Sequence, residues 1–354
     1  MDRRGFLTTA GTTIATPLVA GCIATGGSGN GDDTGNGNGG SNGGSGTSSG
    51  NGSSGGDGRT ITVDWAYYNP ISLVLRDHGW LEEEFADDDV SIEWVLSLGS
   101  NQANEYSQSG SAEFASTAGI AALLARTNGV PIRTPYIYSK PEWTALVAKS
   151  DSGIEEVADL EGKRVAATRG TDPYFFLLQA LETAGLSESD VEVVHLQHPD
   201  GQSALVQDDV DAWAGLDPHM AELELEHDVD LFFREPDFNT YGFLNVLDGF
   251  LEDHPEDARR VLETYERGRQ WALENPQETA SILAAESDMS QAVAERVFIE
   301  RNDLSTALPG EQHRDLLSTL APILKDEGMV QPDADLQARI DELIDSETAR
   351  EVVN

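Results

Sequence analysis

From Thr60 onward the sequence switches repeatedly between two periods. Short runs rich in β-branched and aromatic residues alternate with runs whose apolar residues recur at helical spacing. Only a few residues separate them. Strands are expected at 60–67, 91–96, 113–115 and 131–138, with helices at 71–85, 102–110 and 120–126. A second series places strands at 143–148, 164–167, 191–196, 212–214 and 231–233, and helices at 154–160, 174–184, 201–207 and 219–226. Residues 241–247 form a strand that returns to the first unit. The rest, 255–352, is helical. Its segment 336–344 shows Leu336, Ile340, Leu343 and Ile344 on one face. Such alternation builds an α/β protein with largely parallel sheets. Two helix starts are marked by a cap before a proline, Asn69 before Pro70 and Asp172 before Pro173.

The first 58 residues do not join this pattern. Arg3-Arg4 stands before a short apolar run that ends Leu18-Val19-Ala20-Gly21-Cys22. Twin arginines ahead of an apolar segment predict a twin-arginine export signal, residues 1–22. The ending resembles a lipoprotein box, in which Cys22 becomes the lipid-bearing first residue. Residues 23–58 are nearly all Gly, Ser, Asn, Thr and Asp, too polar to fold. They read as a tether with an r.m.s. span of about 30 Å. Cys22 is the single cysteine, so no intramolecular disulfide exists.

Charge narrows the function classes. The chain of 354 residues carries 22 Lys and Arg against 63 Asp and Glu, a formal net charge of -41. Nucleic-acid binding needs basic patches and is excluded as a partner class. The acidic residues interleave with regular apolar positions, which predicts a folded protein with an acidic, halophile-type surface. Salt should shorten the range of its self-repulsion.

Four stretches then resemble one family. Gly110-Ser111-Ala112-Glu113-Phe114-Ala115-Ser116-Thr117 resembles the G-x-x-D-F-x-S-T stretch of aliphatic-sulfonate-binding proteins. Leu160-Glu161-Gly162-Lys163-Arg164-Val165-Ala166 is similar to their D-L-K-G-K-K-V-A. The Gly170 loop and the helix at 177–181 follow at the family's spacing. The run from Val210 to Pro218 resembles V-D-A-W-x-x-W-D-P. The resemblance covers nearly all of residues 59–345. It implies the two-lobed periplasmic-binding-protein fold, two parallel-sheet lobes joined by two crossing strands. Lobe 1 would hold residues 59–143 and 245–354, lobe 2 residues 146–240, with crossings at 143–149 and 241–247. It implies the extracytoplasmic binding component of an ABC importer, which delivers a small anion, an organosulfonate foremost, to a permease and its ATPase. Nitrate, taurine or a thiamine-pyrimidine precursor are the alternative ligands. The chain would sit on the outer face of the cytoplasmic membrane through a lipid on Cys22.

The residues themselves agree with an anion site. Three strand-to-helix loops, Tyr67-Tyr68-Asn69, Ser116-Thr117-Ala118 and Gly170-Thr171-Asp172, should meet at the carboxyl ends of parallel strands. Each opens a helix, where free N–H groups and the helix dipole favour a negative ligand. Tyr67, Tyr68, Trp143, Tyr174 and Trp213 are candidate walls for its carbon portion. Asp172, as a helix cap, would compete with an anion for the same N–H groups. Asp217 would cap the helix after Pro218 or meet the cationic end of a zwitterion. Arg133 and Arg169 are candidate counter-charges. The family's acidic residue two positions after Ser-Thr is replaced by Gly119.

No nucleophile elbow, phosphate-binding loop or His-Glu-x-x-His motif appears, so no enzyme and no cofactor are expected. The related pyrimidine-synthesising enzymes carry a cysteine-rich iron motif, whereas Cys22 lies in the leader. His195 and His198 stand three apart with no third ligand in view, so no metal site is expected.

Overall fold

In the computed structural model, which describes residues 58–353, the alternation becomes two sheets, each covered by helices. The strands are β1 (Arg59–Trp65), β2 (Val90–Leu96), β3 (Phe114–Ala118), β4 (Ile132–Pro141), β5 (Leu146–Lys149), β6 (Arg164–Ala167), β7 (Glu192–His195), β8 (Ala212–Ala214), β9 (Val229–Phe233), β10 (Gly242–Leu247) and β11 (Asn302–Asp303). One sheet has the order β11-β4-β10-β3-β1-β2, the other β7-β6-β8-β5-β9. The leader, Cys22 and the Gly/Ser tether lie outside the described residues.

Both sheets are largely parallel in strand direction, as expected, but mixed and not purely parallel. β1 pairs in parallel with β2 and β3, and β6 with β7 and β8. β10 runs antiparallel to β3 and β4, and β5 antiparallel to β8 and β9. Connectivity explains this. The chain passes between the sheets twice, through residues 142–145 and 234–241. Each short link leaves one sheet at the carboxyl ends of its parallel strands and enters the other at the same side. The entering strand, β5 or β10, must therefore run backwards. Residues 143–149 and 241–247 are thus not crossing strands along their length, since β5 and β10 lie inside the sheets.

In the first body, α1 (Pro70–His78), α2 (Trp80–Glu84), α3 (Ser100–Ser109) and α4 (Gly119–Thr127) follow strands. In the second, α5 (Asp172–Thr183), α6 (His198–Val206) and α7 (His219–Glu226) do so. After β10 come α8 (Asp248–Asp253), α9 (Pro255–Glu274), α10 (Pro276–Ser287), α11 (Gln291–Glu295), α12 (Glu311–Asp326), α13 (Leu336–Leu343) and α14 (Ser346–Val352). The helix expected at 71–85 breaks at Gly79, whose left-handed backbone (φ 64°) closes α1. Within the stretch 255–352 expected to be helical, α11 (Gln291–Glu295) passes into a π turn, Arg296–Glu300. Among the described residues no helix is long and apolar enough to cross a membrane.

Packing follows the apolar periods. Ile61, Val63, Phe114, Leu244 and Val246 of the first sheet meet Leu262 and Tyr265 of α9. Gly268 lets α9 lie on α1, because a Cβ there would stand 2.2 Å from Leu75 Cδ1. Val147, Ala166 and Trp213 pack with Leu205 and Leu223 in the second body. A third cluster spans both bodies, joining Leu123 and Ile137 to Phe175 and Leu177. At about 25 cal/mol per Å² of apolar surface, this shared cluster holds the two bodies together as well as each one singly.

Candidate functional site: a cavity where helix N-termini meet

Where strands of both sheets end, short turns lead into helices, and four of these turns face one another. Ser100 opens α3, Ala118 precedes α4, Thr171 to Pro173 begin α5, and His198 opens α6. Together with Tyr68, Trp143 and Leu216 they line a cavity of about 10 Å³. That is room for about one water. None of the four helices is capped by the side chain of its own N-cap residue, although the Thr240 hydroxyl accepts Gly119 N–H at the start of α4 at 3.0 Å. Their first-turn N–H groups carry roughly half a positive charge per helix. No Lys or Arg lines the cavity. Ala118 N–H donates to Ser100 Oγ at 2.9 Å, which leaves the Ser100 hydroxyl proton for another acceptor.

Asp172 does not cap α5, contrary to expectation. Thr171 takes the N-cap position with extended backbone, and Asp172 starts the helix with its side chain turned toward the inter-sheet connections. Its Oδ2 accepts Trp143 Nε1–H at 2.7 Å and Thr240 N–H at 2.8 Å. Its Oδ1 accepts the Thr240 hydroxyl at 2.8 Å. Trp143 lies on one connection and Thr240 on the other. Burial pushes the Asp172 carboxyl up to about 6, against the pull of these hydrogen bonds.

This two-sheet cavity coincides with a family match. The NMT1/THI5-like family model aligns with residues 73–279, more than half of the chain. The chain belongs to the NMT1/THI5-like family. A Bacillus subtilis protein named for aliphatic-sulfonate binding is 24% identical over 229 residues, 64% of this chain and 69% of that one. The alkanesulfonate-binding protein SsuA of Xanthomonas axonopodis pv. citri, solved with MOPS, superposes with a TM-score of 0.73 at 21% identity, covering 79% of this chain and 97% of that one. The desulfurization enzyme DSZB shares the fold too, with a TM-score of 0.62 at 16% identity over 84% of this chain and 99% of that one.

In this NMT1/THI5-like chain, Tyr68, Ala118, Trp143, Thr171 and Asp172 reach the cavity. Asn69, Ser116 and Thr117 do not. Asn69 Oδ1 caps α1 by accepting Ser72 N–H at 3.2 Å, and its Nδ2 donates to Ser116 Oγ at 2.8 Å. Ser116 Oγ donates to Asp64 Oδ1 at 2.8 Å, and Thr117 Oγ1 accepts from Asn245 Nδ2 at 2.7 Å. The reason is that β3 is buried on both faces, so only its last residue, Ala118, stands at the strand end. Gly170, with φ 80°, makes the turn before Thr171 without lining the cavity. Tyr67 packs edge-on against Trp65 and faces His219 of the second body. Tyr174 packs on Phe175, and Trp213 fills the second core, where a Cβ on Gly201 would stand 2.5 Å from its Nε1. A Cβ at Gly119 would stand 3.1 Å from the Phe243 ring, so that ring would have to shift to admit a side chain there.

The expected counter-charges are engaged elsewhere. Arg133 pairs with Asp248 and Glu252, and Arg169 with Glu188. Asp217 neither meets solvent nor lines the main cavity. It lines a second small cavity beside Tyr68 and Trp143, where buried Arg301 reaches it at 3.2 Å and also reaches Glu224. Arg296 meets Glu224 at 2.8 Å, so the π turn brings two arginines across the seam between the bodies. A wide concavity at Arg126, Arg133, Arg314 and Asp341 is a surface of mutually paired charges. His195 Nδ1 accepts Arg169 N–H at 3.1 Å, away from His198. Among the described residues no three His, Cys, Asp or Glu side chains are placed to hold a metal.

Sequence reading missed Ser100, Pro173, His198 and Leu216. For Ser100 a signal was present: Gly99-Ser100-Asn101 follows a strand and opens a helix, as Gly170-Thr171-Asp172 does. Arg301 had no such signal, since only folding brings it to Asp217.

Three buried carboxyls set a pH dependence. Asp64, Asp172 and Asp217 are each pushed up to about 6 from 3.8, in every case chiefly by burial. Between those limits these three groups bind more protons in the folded chain than in the unfolded one. This stability is complete below about pH 4 and is lost as the pH rises through 6, about 1–3 kcal/mol per group. Buried His198, His219 and His313, pushed down to about 3, 4 and 4 chiefly by burial, act in the opposite sense as pH falls below about 6.5, so the carboxyl contribution is read by difference. Asp64→Asn is expected to lose more Tm relative to the unaltered protein at pH 5 than at pH 7.5; a Tm difference that does not change with pH would contradict an ionisable, buried Asp64.

Proposed function

We propose that this chain is the extracytoplasmic solute-binding component of an ABC importer, capturing a small anion, an organosulfonate foremost. The observation that carries this reading is the meeting of four helix N-termini, from both bodies, at one buried cavity, three of them (α3, α5 and α6) without a side-chain cap. A sulfonate offers three acceptor oxygens and no proton at neutral pH, which matches backbone donors and hydroxyls. The name of the Bacillus subtilis relative supports the same ligand class. The work is binding and handover to a permease driven by its ATPase, without bond making.

Residues 59–143 and 245–354 form one lobe in this reading and 146–240 the other. A cavity of about 10 Å³ admits no sulfonate while shut. The lobes must therefore part about the two connections, a hinge closure of the kind that buries ligands between domains. The ligand-bound state then gains from both lobes' helix ends at once.

The leader adds location. Arg3-Arg4 and Cys22 support export and a lipid anchor on the outer face of the cytoplasmic membrane. Cys22→Ser is expected to move the protein from the membrane fraction to the soluble fraction of cells. Retention in the membrane fraction would remove the lipid anchor.

Thermal-shift screening in molar salt tests the ligand class. Sulfonates, nitrate, sulfate, bicarbonate and pyrimidine precursors would be compared. A sulfonate at about a hundredfold excess over its Kd stabilises by about 2.7 kcal/mol and raises Tm by several degrees. Ser100→Ala is expected to weaken that ligand by about 1 kcal/mol through loss of a hydroxyl donor. A shift with a neutral pyrimidine alone would overturn the anion site.

A further inference from the structure

Among the side chains that line the cavity, only His198 leaves a buried polar atom, Nε2, without a partner. Its hydrogen-bonding sense follows from its neighbour. The Thr168 hydroxyl donates to Leu196 O at 2.6 Å, so its oxygen faces His198 Nδ1, 3.2 Å away, as an acceptor. Nδ1 therefore carries the proton. Burial pushes the imidazole down to about 3, so the ring is neutral and Nε2 is a bare lone pair.

That lone pair points across the seam. A Cβ at Gly99 of the opposite body would stand 3.0 Å from His198 Nε2 and 2.9 Å from Asn101 Oδ1. Asn101 Oδ1 is a second buried acceptor without a partner. The Asp172 carboxylate lines the same cavity. Since the Asp172 oxygens are already engaged, His198 Nε2 is the unsatisfied acceptor among the lining side chains, with Asn101 Oδ1 a second one close to the same Gly99 position, while the helix ends supply donors. A plain alkanesulfonate has nothing to give His198. It would seal Nε2 away unpaired, which weakens binding relative to a ligand that fills the need.

We propose that the ligand carries an N–H or O–H donor beside its anionic group, and that His198 Nε2 accepts from it. The site then selects zwitterionic or hydroxylated sulfonates over plain alkanesulfonates. The inference rests on the anion-binding reading above and adds the second half of the ligand.

Taurine, isethionate and propanesulfonate have matching heavy-atom skeletons and differ at one terminal group. Titration calorimetry of the purified protein with the three is the test. Taurine or isethionate is expected to bind about tenfold or more tightly than propanesulfonate. His198→Leu is expected to erase that ratio, with propanesulfonate measured in the same variant as the internal reference for any general loss of binding. Propanesulfonate binding as tightly as both others in the unaltered protein would overturn the proposal and leave the anion site standing; so would a His198→Leu variant that keeps the preference. The unaltered protein decides the ranking alone if the variant does not fold. Binding of none of the three would remove the anion reading and this proposal together.

Discussion

The Asp172 carboxylate accepts hydrogen bonds from both connections between the sheets, and the position of the cavity depends on it. Trp143 Nε1 reaches it from one connection, Thr240 N–H and Oγ–H from the other. Thr240 Oγ1 in turn accepts Gly119 N–H at 3.0 Å. One hydroxyl thus bridges the start of α4 in the first body and the start of α5 in the second. A buried carboxylate is held in place by such charge-assisted bonds. Removing it would strand the Trp143 indole N–H and the Thr240 amide in the interior.

Around that tie, three kinds of contact close the seam. The apolar cluster joining Leu123 to Phe175 covers one side. The Arg301, Asp217 and Glu224 pairing covers the side beyond Tyr68 and Trp143. Tyr67 against His219 adds an aromatic contact. The enclosed cavity is then left to backbone donors. This suits a chain with a net charge of -41, whose arginines are drawn into surface ion pairs such as Arg126 with Asp248 and Arg260 with Glu84. Helix N–H groups neither titrate nor pair with surface acids, and burial protects them from screening by salt.

The fold was legible because its signals are local. Asn69-Pro70 marked the start of α1, and the helix at 219–226 was placed residue for residue. The reversed strands were not legible, because strand direction depends on how the chain passes between bodies and not on any local period. The site was half legible. Loops that open helices could be found by their small residues, which gave Ala118, Thr171 and Asp172. Ser116 and Thr117 misled, because a strand buried on both faces hides its hydroxyls. Asp172 looked like a cap from its place before Pro173, yet its partners, Trp143 and Thr240, stand 29 and 68 residues away. His198 looked like half a metal pair, and only its lone partner, Thr168, shows which nitrogen is free.

The central claim is that an anion is held by helix N-termini of both bodies. A crystal structure of the protein grown with a sulfonate, with the ligand sulfur placed by its anomalous signal, tests it most directly. The account predicts the sulfur between Ser100 and Thr171, with its oxygens within hydrogen-bond reach of the first-turn N–H groups of α3 and α5. A sulfonate seated among Arg126, Arg133 and Arg314, with the inter-body cavity unchanged, would contradict it.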